Sequence, residues 1–424
     1  MELQTARGVR DFPPEEKIAR EEVVNKLKQM FEIYGFSPME TPILERIETL
    51  SAKYAGGAEI LKETFKLKDQ GGRDLGLRYD PTVPLARFIG MNPNLKMPFK
   101  RYELGPVFRD GPIKLGRYRQ FWQCDVDTIG VTSMLAEAEV LSLAARFFES
   151  LGLSATIKIN NRQLLNGLIE EAKVTDKADD AILSLDKLEK IGEKGVSEEL
   201  KQKGFLEKEV KSLLELIRVK ELKKLKNLKN SLIERGIKEL EELFSYLNLW
   251  NVPYSFEPSL ARGLSYYTGT VYEVFVKELP SAVAAGGRYD TMIGNFLGSD
   301  KKYPAVGISF GLDTILDVLK LRNKGEKKKR SVTEIFVLPI GTLTKSMILA
   351  NELREGRINT EIDLLSRGIS KNMDYANTQG IPYVLFVGED ELKKKKFKLK
   401  DMATGKEEFL SIKEVISKLR PKTE

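Results

Sequence analysis

Apolar residues recur at three- or four-residue steps from Ala19 through Val23, Leu27 and Met30 to Tyr34. That spacing predicts a helix of about twenty residues, entered behind Pro13 and Pro14 and closed by Gly35. The period is then lost, and Pro38 and Pro42 restrict the next stretch to an edge or irregular strand. Lys100 to Ile129 reads as an antiparallel hairpin whose first arm ends at Phe108 and Arg109 and whose long loop holds Gly111, Pro112 and Gly116. The second arm alternates with a period of two. Trp122, Cys124 and Val126 share one face, and Arg119, Phe121, Gln123, Asp125 and Asp127 share the other. Taken alone, such a polar face is what a solvent-facing sheet surface presents. A second helix follows, with Met134, Ala138, Leu141, Ala145 and Phe148 in step.

From about residue 162 to 250 the chain turns Lys- and Glu-rich and helical. Leu222, Leu225, Leu228 and Leu232 make an apolar stripe amid Lys220, Lys223, Lys224, Lys226 and Lys229. A solvated helix face is the ordinary meaning of that pattern, and contact with phosphates is the functional one. Residues 254–320 return to strands followed by a helix. The charged stretch 322–330 marks a domain boundary. Beyond it, strands at Glu334–Leu338, Thr360–Leu365 and Tyr383–Val387 alternate with helices near 344–355 and 369–379, which predicts a small α/β domain.

With 424 residues, two or three domains are expected. No apolar run approaches the roughly 20 residues of a membrane crossing. Met1 to Val9 carries no leader pattern, so the expected location is the cytoplasm. Cys124 is the single cysteine, which rules out an internal disulfide. A net charge of +7 suits a polyanionic partner without requiring one. Composition decides most through an absence: the chain has no histidine. Imidazole bases, Ser–His pairs and His-ligated metals are therefore excluded, and chemistry must rest on Arg, Lys, carboxylates, Tyr and a bound ion.

Several residues suit that constraint. Arg109, at the hairpin turn, is placed to grip a phosphate in bidentate fashion. Arg262 precedes Gly263, which lets backbone approach a ligand closely. Asp80 and Thr82 offer acceptors for an ammonium group, and Gln123 and Asp127 point from one strand face. Such a set can activate a carboxylate with ATP. The carboxylate is already a nucleophile, so the need is for in-line positioning and for cations that neutralise charge developing on phosphorus.

Together these stretches resemble class II aminoacyl-tRNA synthetases, specifically the histidyl-tRNA synthetase family in its archaeal and eukaryotic form. Arg7–Pro14 (RGVRDFPP) is similar to that family's opening, and the first helix with Pro42 to motif 1. Leu77–Ala86 (LRYDPTVPLA) resembles the amino-acid-binding segment. Phe108–Gly130 resembles motif 2 and its tRNA-contacting loop. Leu260–Glu273 (LARGLSYYTGTVYE) and Ala285–Asp290 (AGGRYD) resemble the family's two signatures, and Ala305–Asp313 resembles motif 3. The family signature usually has an acidic residue where this chain has Ser265, motif 3 usually ends in an Arg where it has Thr314, and Gly111 and Asp110 stand where motif 2 often carries an acidic contact.

The resemblance implies an α/β (α+β) fold: an antiparallel-sheet catalytic domain over 1–161 and 251–321, a helical insertion at 162–250 against the tRNA acceptor stem, a linker at 322–330, and a C-terminal α/β anticodon-binding domain at 331–424. It implies L-histidine, ATP with Mg²⁺ and tRNA(His) as substrates, no protein-ligated metal, no membrane, and a homodimer. By it, Asp80, Thr82 and Gln123 hold the ammonium, and Asp127 and Tyr267 read the imidazole. Tyr266 and Tyr289 wall the pocket. Arg109 binds the α-phosphate and carboxylate, Arg117 lies near the γ-phosphate, and Arg262 stabilises the transition state; Arg109 and Arg262 also count among the histidine contacts. Two other readings fit parts of the pattern: a non-catalytic paralogue serving as the regulatory subunit of ATP phosphoribosyltransferase, and an RNA-binding module. Arg109, Arg262 and the 331–424 segment weigh against the first, and the face of Asp80, Gln123 and Asp127 against the second.

Overall fold

The computed structural model describes residues 3–51, 58–113, 117–262, 266–323 and 329–420. Gly116, Gly263, Ser265 and most of the expected 322–330 linker lie outside these residues. The chain divides into two compact units, residues 1–10 with 23–322 and residues 11–22 with 323–424.

In chain order the strands of the first unit are β1 (Ser37–Pro38), β2 (Leu44–Arg46), β3 (Lys66–Lys68), β4 (Asp74–Leu77), β5 (Phe99–Phe108), β6 (Gln120–Ile129), β7 (Ala155–Asn161), β8 (Tyr254–Phe256), β9 (Thr270–Val276), β10 (Leu279–Arg288) and β11 (Ala305–Gly311). One sheet has the order β1-β5-β6-β11-β10-β9-β7-β8, and β2-β4-β3 form a separate small sheet. The large sheet is antiparallel except where its outermost strands, β1 and β8, pair parallel. Pro38 sits in β1, at an edge, where a missing N–H costs no ladder bond.

The expected hairpin is β5 with β6, in register from Phe99 opposite Ile129 to Phe108 opposite Gln120. Its apolar face, with Cys124 and Val126, is buried in one core with Val23, Leu27 and Phe31 of the first helix (Pro14–Ile33). The helix Leu135–Ser150 contributes Leu141, Ala144, Phe147 and Phe148 to the same core. Phe310 of β11 stands at the centre. Its ring lies 5.8 Å from Phe31, 5.4 Å from Phe147 and 6.0 Å from Phe148. Each such buried ring contributes about 1.5–3 kcal/mol by transfer alone, so this cluster fixes the sheet against its helices.

Between β7 and β8 the chain is helical: Arg162–Glu171, Ala178–Leu185, Leu188–Gln202, Glu207–Ile217, Leu222–Lys226 and Ser231–Leu249. The leucine stripe expected as one helix is divided. Lys229 has φ 52°, and the Asn230 side chain accepts the N–H groups of Leu232 and Ile233, starting a new helix at Ser231. An N-cap and a left-handed residue thus override the apolar period. All five lysines around the stripe are exposed. Lys220, Lys224 and Lys226 face Glu257, Glu221 and Glu241 at 2.7, 2.6 and 3.6 Å.

The second unit contains β12 (Ile335–Pro339), β13 (Thr360–Ile362), β14 (Tyr383–Val387), β15 (Phe397–Asp401) and β16 (Glu407–Leu410), in sheet order β13-β12-β14-β15-β16. β13, β12 and β14 are parallel, as a strand–helix alternation requires. β13 is shorter than the expected Thr360–Leu365. Asp363 accepts the N–H groups of Leu365 and Arg367, turning the chain and leaving Leu364 and Leu365 exposed at 83% and 73%. No helix among the described residues is long and apolar enough to cross a membrane.

Phe310→Ala removes the ring common to these three contacts. It is expected to lower unfolding free energy by about 3–5 kcal/mol, read as a shift in urea midpoint.

Candidate functional site

The polar face of β6 is not a solvent face. Asp125 and Asp127 are buried and Gln123 is half-buried, against the simplest meaning of the alternation. The cause is Arg101 on β5, directly opposite Asp127 and fully buried. Its guanidinium lies 2.8 Å from Asp127 Oδ2 and 3.3 Å from Glu103 Oε2. Glu103 also takes a short bond from Arg78 and accepts the Thr41 hydroxyl at 2.8 Å. The Tyr289 hydroxyl donates a short bond to Asp127 Oδ1. Gly307 on β11 pairs directly with Asp127, and a Cβ there would collide with that carboxylate. Gly287 likewise admits the Tyr267 ring, which a Cβ would meet at 2.8 Å.

Sequence reasoning gives no role to Arg101, Glu103 or Asp125. Their signal is nonetheless present: Arg101 and Glu103 alternate on the first arm and fall opposite Asp127 and Asp125. Burial pushes the Asp125 carboxyl up to about 8, against the pull of Arg101 and the Ser309 hydroxyl and with the help of Asp127. Asp127 is raised too, by burial, with Arg101 and Tyr289 opposing.

Several atoms of this face are buried without a hydrogen-bond partner: Arg101 Nε, Gln123 Oε1, Asp125 Oδ1 and Asp127 Oδ2; Arg262 Nε, on the segment after β8, is another. Asp127 Oδ2 is close to Arg101 but lacks hydrogen-bond geometry, so its contact is an ion pair only. Native interiors leave few such atoms, so their concentration here singles this face out as a candidate site.

Asp80 follows β4 and opens the helix Thr82–Met91 by accepting the Thr82 and Val83 N–H groups at 3.0 and 2.9 Å. Burial raises this carboxyl, while the Val83 N–H and Arg109 lower it. Arg109 donates to the Tyr79 carbonyl at 3.2 Å and lies over the Phe121 ring at 5.1 Å. Burial lowers its basicity, with Asp80 opposing. Arg117 is farther out, exposed, and paired with Glu63 at 2.8 Å.

The aromatic wall is continuous. The Tyr266 ring lies 4.7 Å from Tyr267 and 6.1 Å from Tyr289. Arg262 lies 5.9 Å from the Tyr267 ring and donates to Glu273 Oε1 at 2.6 Å. Burial opposes its charge, and Tyr267 and then Glu273 outweigh that and raise it. Arg288, the arginine of AGGRYD, holds Glu137 at 2.6 Å, with both side chains buried; its role is to brace the sheet. At the motif 3 end Asp313 accepts the Trp122 N–H at 3.1 Å and pairs with Arg10 at 3.1 Å. The Arg10 guanidinium also covers Tyr118, at 4.4 Å. A cavity of about 280 Å³ lies alongside, between Arg162, Asn166, Asp179 and Leu232; of the predicted site residues only Tyr267 lines it. Among the described residues no cluster of three carboxylates or thiols is arranged to hold a metal.

A family model described as histidyl-tRNA synthetase matches residues 8–315, and one for an anticodon binding domain matches 334–422. Histidine–tRNA ligase 1 of Bacillus cereus is 44% identical over 96% of this chain and 95% of its own length. The histidine–tRNA ligase of Clostridium tetani is 37% identical over 96% of each. The crystal structure of histidyl-tRNA synthetase from Nostoc sp. PCC 7120 superposes with a TM-score of 0.87 at 29% identity, covering all of both chains. An ATP phosphoribosyltransferase regulatory subunit/histidyl-tRNA synthetase from Bacillus halodurans shares the fold, with a TM-score of 0.75 at 22% identity over 91% of this chain and 98% of its own. These matches do not favour the non-catalytic paralogue.

The native Asp125 carboxyl holds a proton that the unfolded chain, with an ordinary value of 3.8, has already released. Unfolding therefore releases a proton, and stability falls as pH rises from about 4 to about 8, by at most ~1.4 kcal/mol per pH unit for this group. Asp125→Asn is expected to flatten that decline, measured as urea midpoints across the same pH range.

Proposed function

The chain belongs to the histidyl-tRNA synthetase family, and from that premise we propose that its cleft joins L-histidine to ATP as histidyl-adenylate and then passes the histidyl group to the 3′-terminal adenosine of tRNA(His). The observation that carries this reading is 44% identity over 96% of the chain to a histidine–tRNA ligase, in a chain matched by both the synthetase and the anticodon-binding models.

In this reading Asp80, Thr82 and Gln123 receive the substrate ammonium. Gln123 is suited to it: its Nε2 is committed to Ser309 at 2.9 Å, which leaves the buried, partnerless Oε1 as an acceptor. Asp127 and Tyr267 take the two imidazole nitrogens, and Tyr266 and Tyr289 close the sides. An amino acid without imidazole polar atoms leaves Asp127 Oδ2 without a hydrogen bond, which is how a buried polar pocket rejects near-isosteres.

The histidine carboxylate attacks the α-phosphorus and pyrophosphate leaves, with no proton to move. Arg109 aligns carboxylate and α-phosphate. Arg117 exchanges Glu63 for the γ-phosphate. Arg262, its head held by Glu273, meets the charge that grows on phosphorus. Mg²⁺ enters with ATP and is held by phosphate oxygens. In the second step a ribose hydroxyl of the tRNA attacks the acyl carbon and AMP departs. Residues 162–250 approach the acceptor stem, residues 331–424 take the anticodon, and a cytoplasmic homodimer is the working form.

Pyrophosphate exchange into ATP is expected with histidine and with none of the other standard amino acids; equal exchange with a second amino acid would overturn the substrate assignment. Arg262→Ala is expected to lower the kcat of that exchange by about 10²–10³ while changing the histidine KM much less, because the contact strengthens in the transition state. Comparable changes in both constants would give Arg262 a binding role instead.

A further inference from the structure

Asn160, Asn161 and Arg162 join the end of β7 to the first helix of the helical region. Their side chains divide between two tasks. Asn161 faces the helices: its Oδ1 accepts the Gln163 and Leu164 N–H groups at 2.8 and 3.3 Å, and its Nδ2 donates to Glu239 at 2.6 Å. Asn160 and Arg162 both donate to the connection that follows β8. Asn160 is fully buried, and its Nδ2 donates to the carbonyl oxygens of Pro258 and Leu260 at 2.9 and 2.8 Å. The Arg162 guanidinium donates to those of Ala261 and Arg262, each at 3.4 Å. Four carbonyls of the strand-to-signature connection thus end on two side chains of one β7 terminus.

That connection has a reason to need holding. Arg262 has φ 46°, a left-handed backbone that residues with a Cβ seldom adopt and that persists only when its surroundings over-determine it. From this conformation its side chain reaches Glu273, two strands into the sheet from β8. A relaxed Arg262 would withdraw the guanidinium from that partner. Arg162 suits the task better than a lysine would, because a planar fork spans two successive carbonyls and an ammonium is a point donor.

We propose that Asn160 and Arg162 are positioning residues for Arg262, fixing its left-handed backbone so that its guanidinium is aimed before substrates arrive. This rests on the role proposed for Arg262 in phosphorus chemistry.

The test is a cycle of variants, Asn160→Ala, Arg162→Lys and Arg262→Ala, alone and combined, in histidine-dependent pyrophosphate exchange on the full chain. Either positioning variant is expected to lower kcat roughly 10–100-fold, the scale of a misplaced catalytic group, with the histidine KM within about threefold of wild type. In the Arg262→Ala chain the same changes are expected to cost less than about threefold more, since the group they aim is gone. A merely structural effect would multiply undiminished in that background, and this result overturns the proposal; unchanged kcat in the single variants does so equally. If Arg262→Ala itself retains the wild-type kcat, the role of Arg262 falls and this inference with it. A slow Arg262→Ala chain beside unaffected positioning variants removes this inference alone. Thermal unfolding accompanies each variant, and Arg162→Lys, which keeps charge and bulk, serves if Asn160→Ala does not fold.

Discussion

A guanidinium sealed from water governs the sheet face on which everything else is arranged. Arg101 has no exposed surface, and a buried cation is tolerable only beside fixed anions and acceptors. It takes Asp127 from the neighbouring strand, Glu103 from its own and the carbonyl of Pro81. Each carboxylate acquires a further bond: Asp127 to Tyr289, Glu103 to Arg78 and Thr41. Order propagates from a loop before β2 to the end of β10 through direct contacts among the named partners. A site that must stabilise growing charge benefits from such a frame, because its dipoles are set before the reaction and need not reorganise during it.

That frame explains which parts of the molecule were legible in the sequence. Period-two alternation identifies β6 and the sides taken by Cys124, Val126, Asp125 and Asp127, while Arg119 precedes the strand, and alternation does not say which face is wet. Asp125 and Asp127 look like surface carboxylates until Arg101 is placed opposite, and that pairing is set by strand register, which a hairpin with a long loop leaves open. The first helix, the hairpin and the three parallel strands of the second unit follow from apolar period. The break at Lys229 and Asn230, the early end of β13 at Asp363 and the antiparallel pair β15–β16 do not. Each depends on one side chain bonding nearby backbone, or on short strands whose lysines alternate with Phe397 and Leu399. The grouping of Asp80, Arg109, Gln123, Asp127, Tyr267 and Arg262 was suggested by motifs from separated segments. No local pattern joins those segments; the strand order sets β6, β11 and β10 side by side, so that Tyr289 after β10 reaches Asp127.

The lack of histidine is consistent with this arrangement. Arginines and carboxylates supply both the scaffold and the candidate chemistry, and the buried charged heads at the centre are set beside partners of opposite sign. The departure at Thr314 falls beside Asp313, whose carboxylate is occupied by Arg10 and the Trp122 N–H. Arg10 is thereby tied to Asp313 at the end of the stretch that resembles motif 3, which gives that arginine a structural partner.

The strand order has a consequence for a chain emerging from the ribosome. The inner edge of β6 has its partner in β11, and Ile129 waits for Ala305. At about 5–20 residues per second that interval is roughly 10–40 s, during which β6 offers an open row of N–H and C=O groups to any other nascent chain. Gln123, Asp125 and Asp127 occupy alternate positions of that waiting strand. Charge at such positions is what disfavours the pairing of one exposed strand with another of its kind.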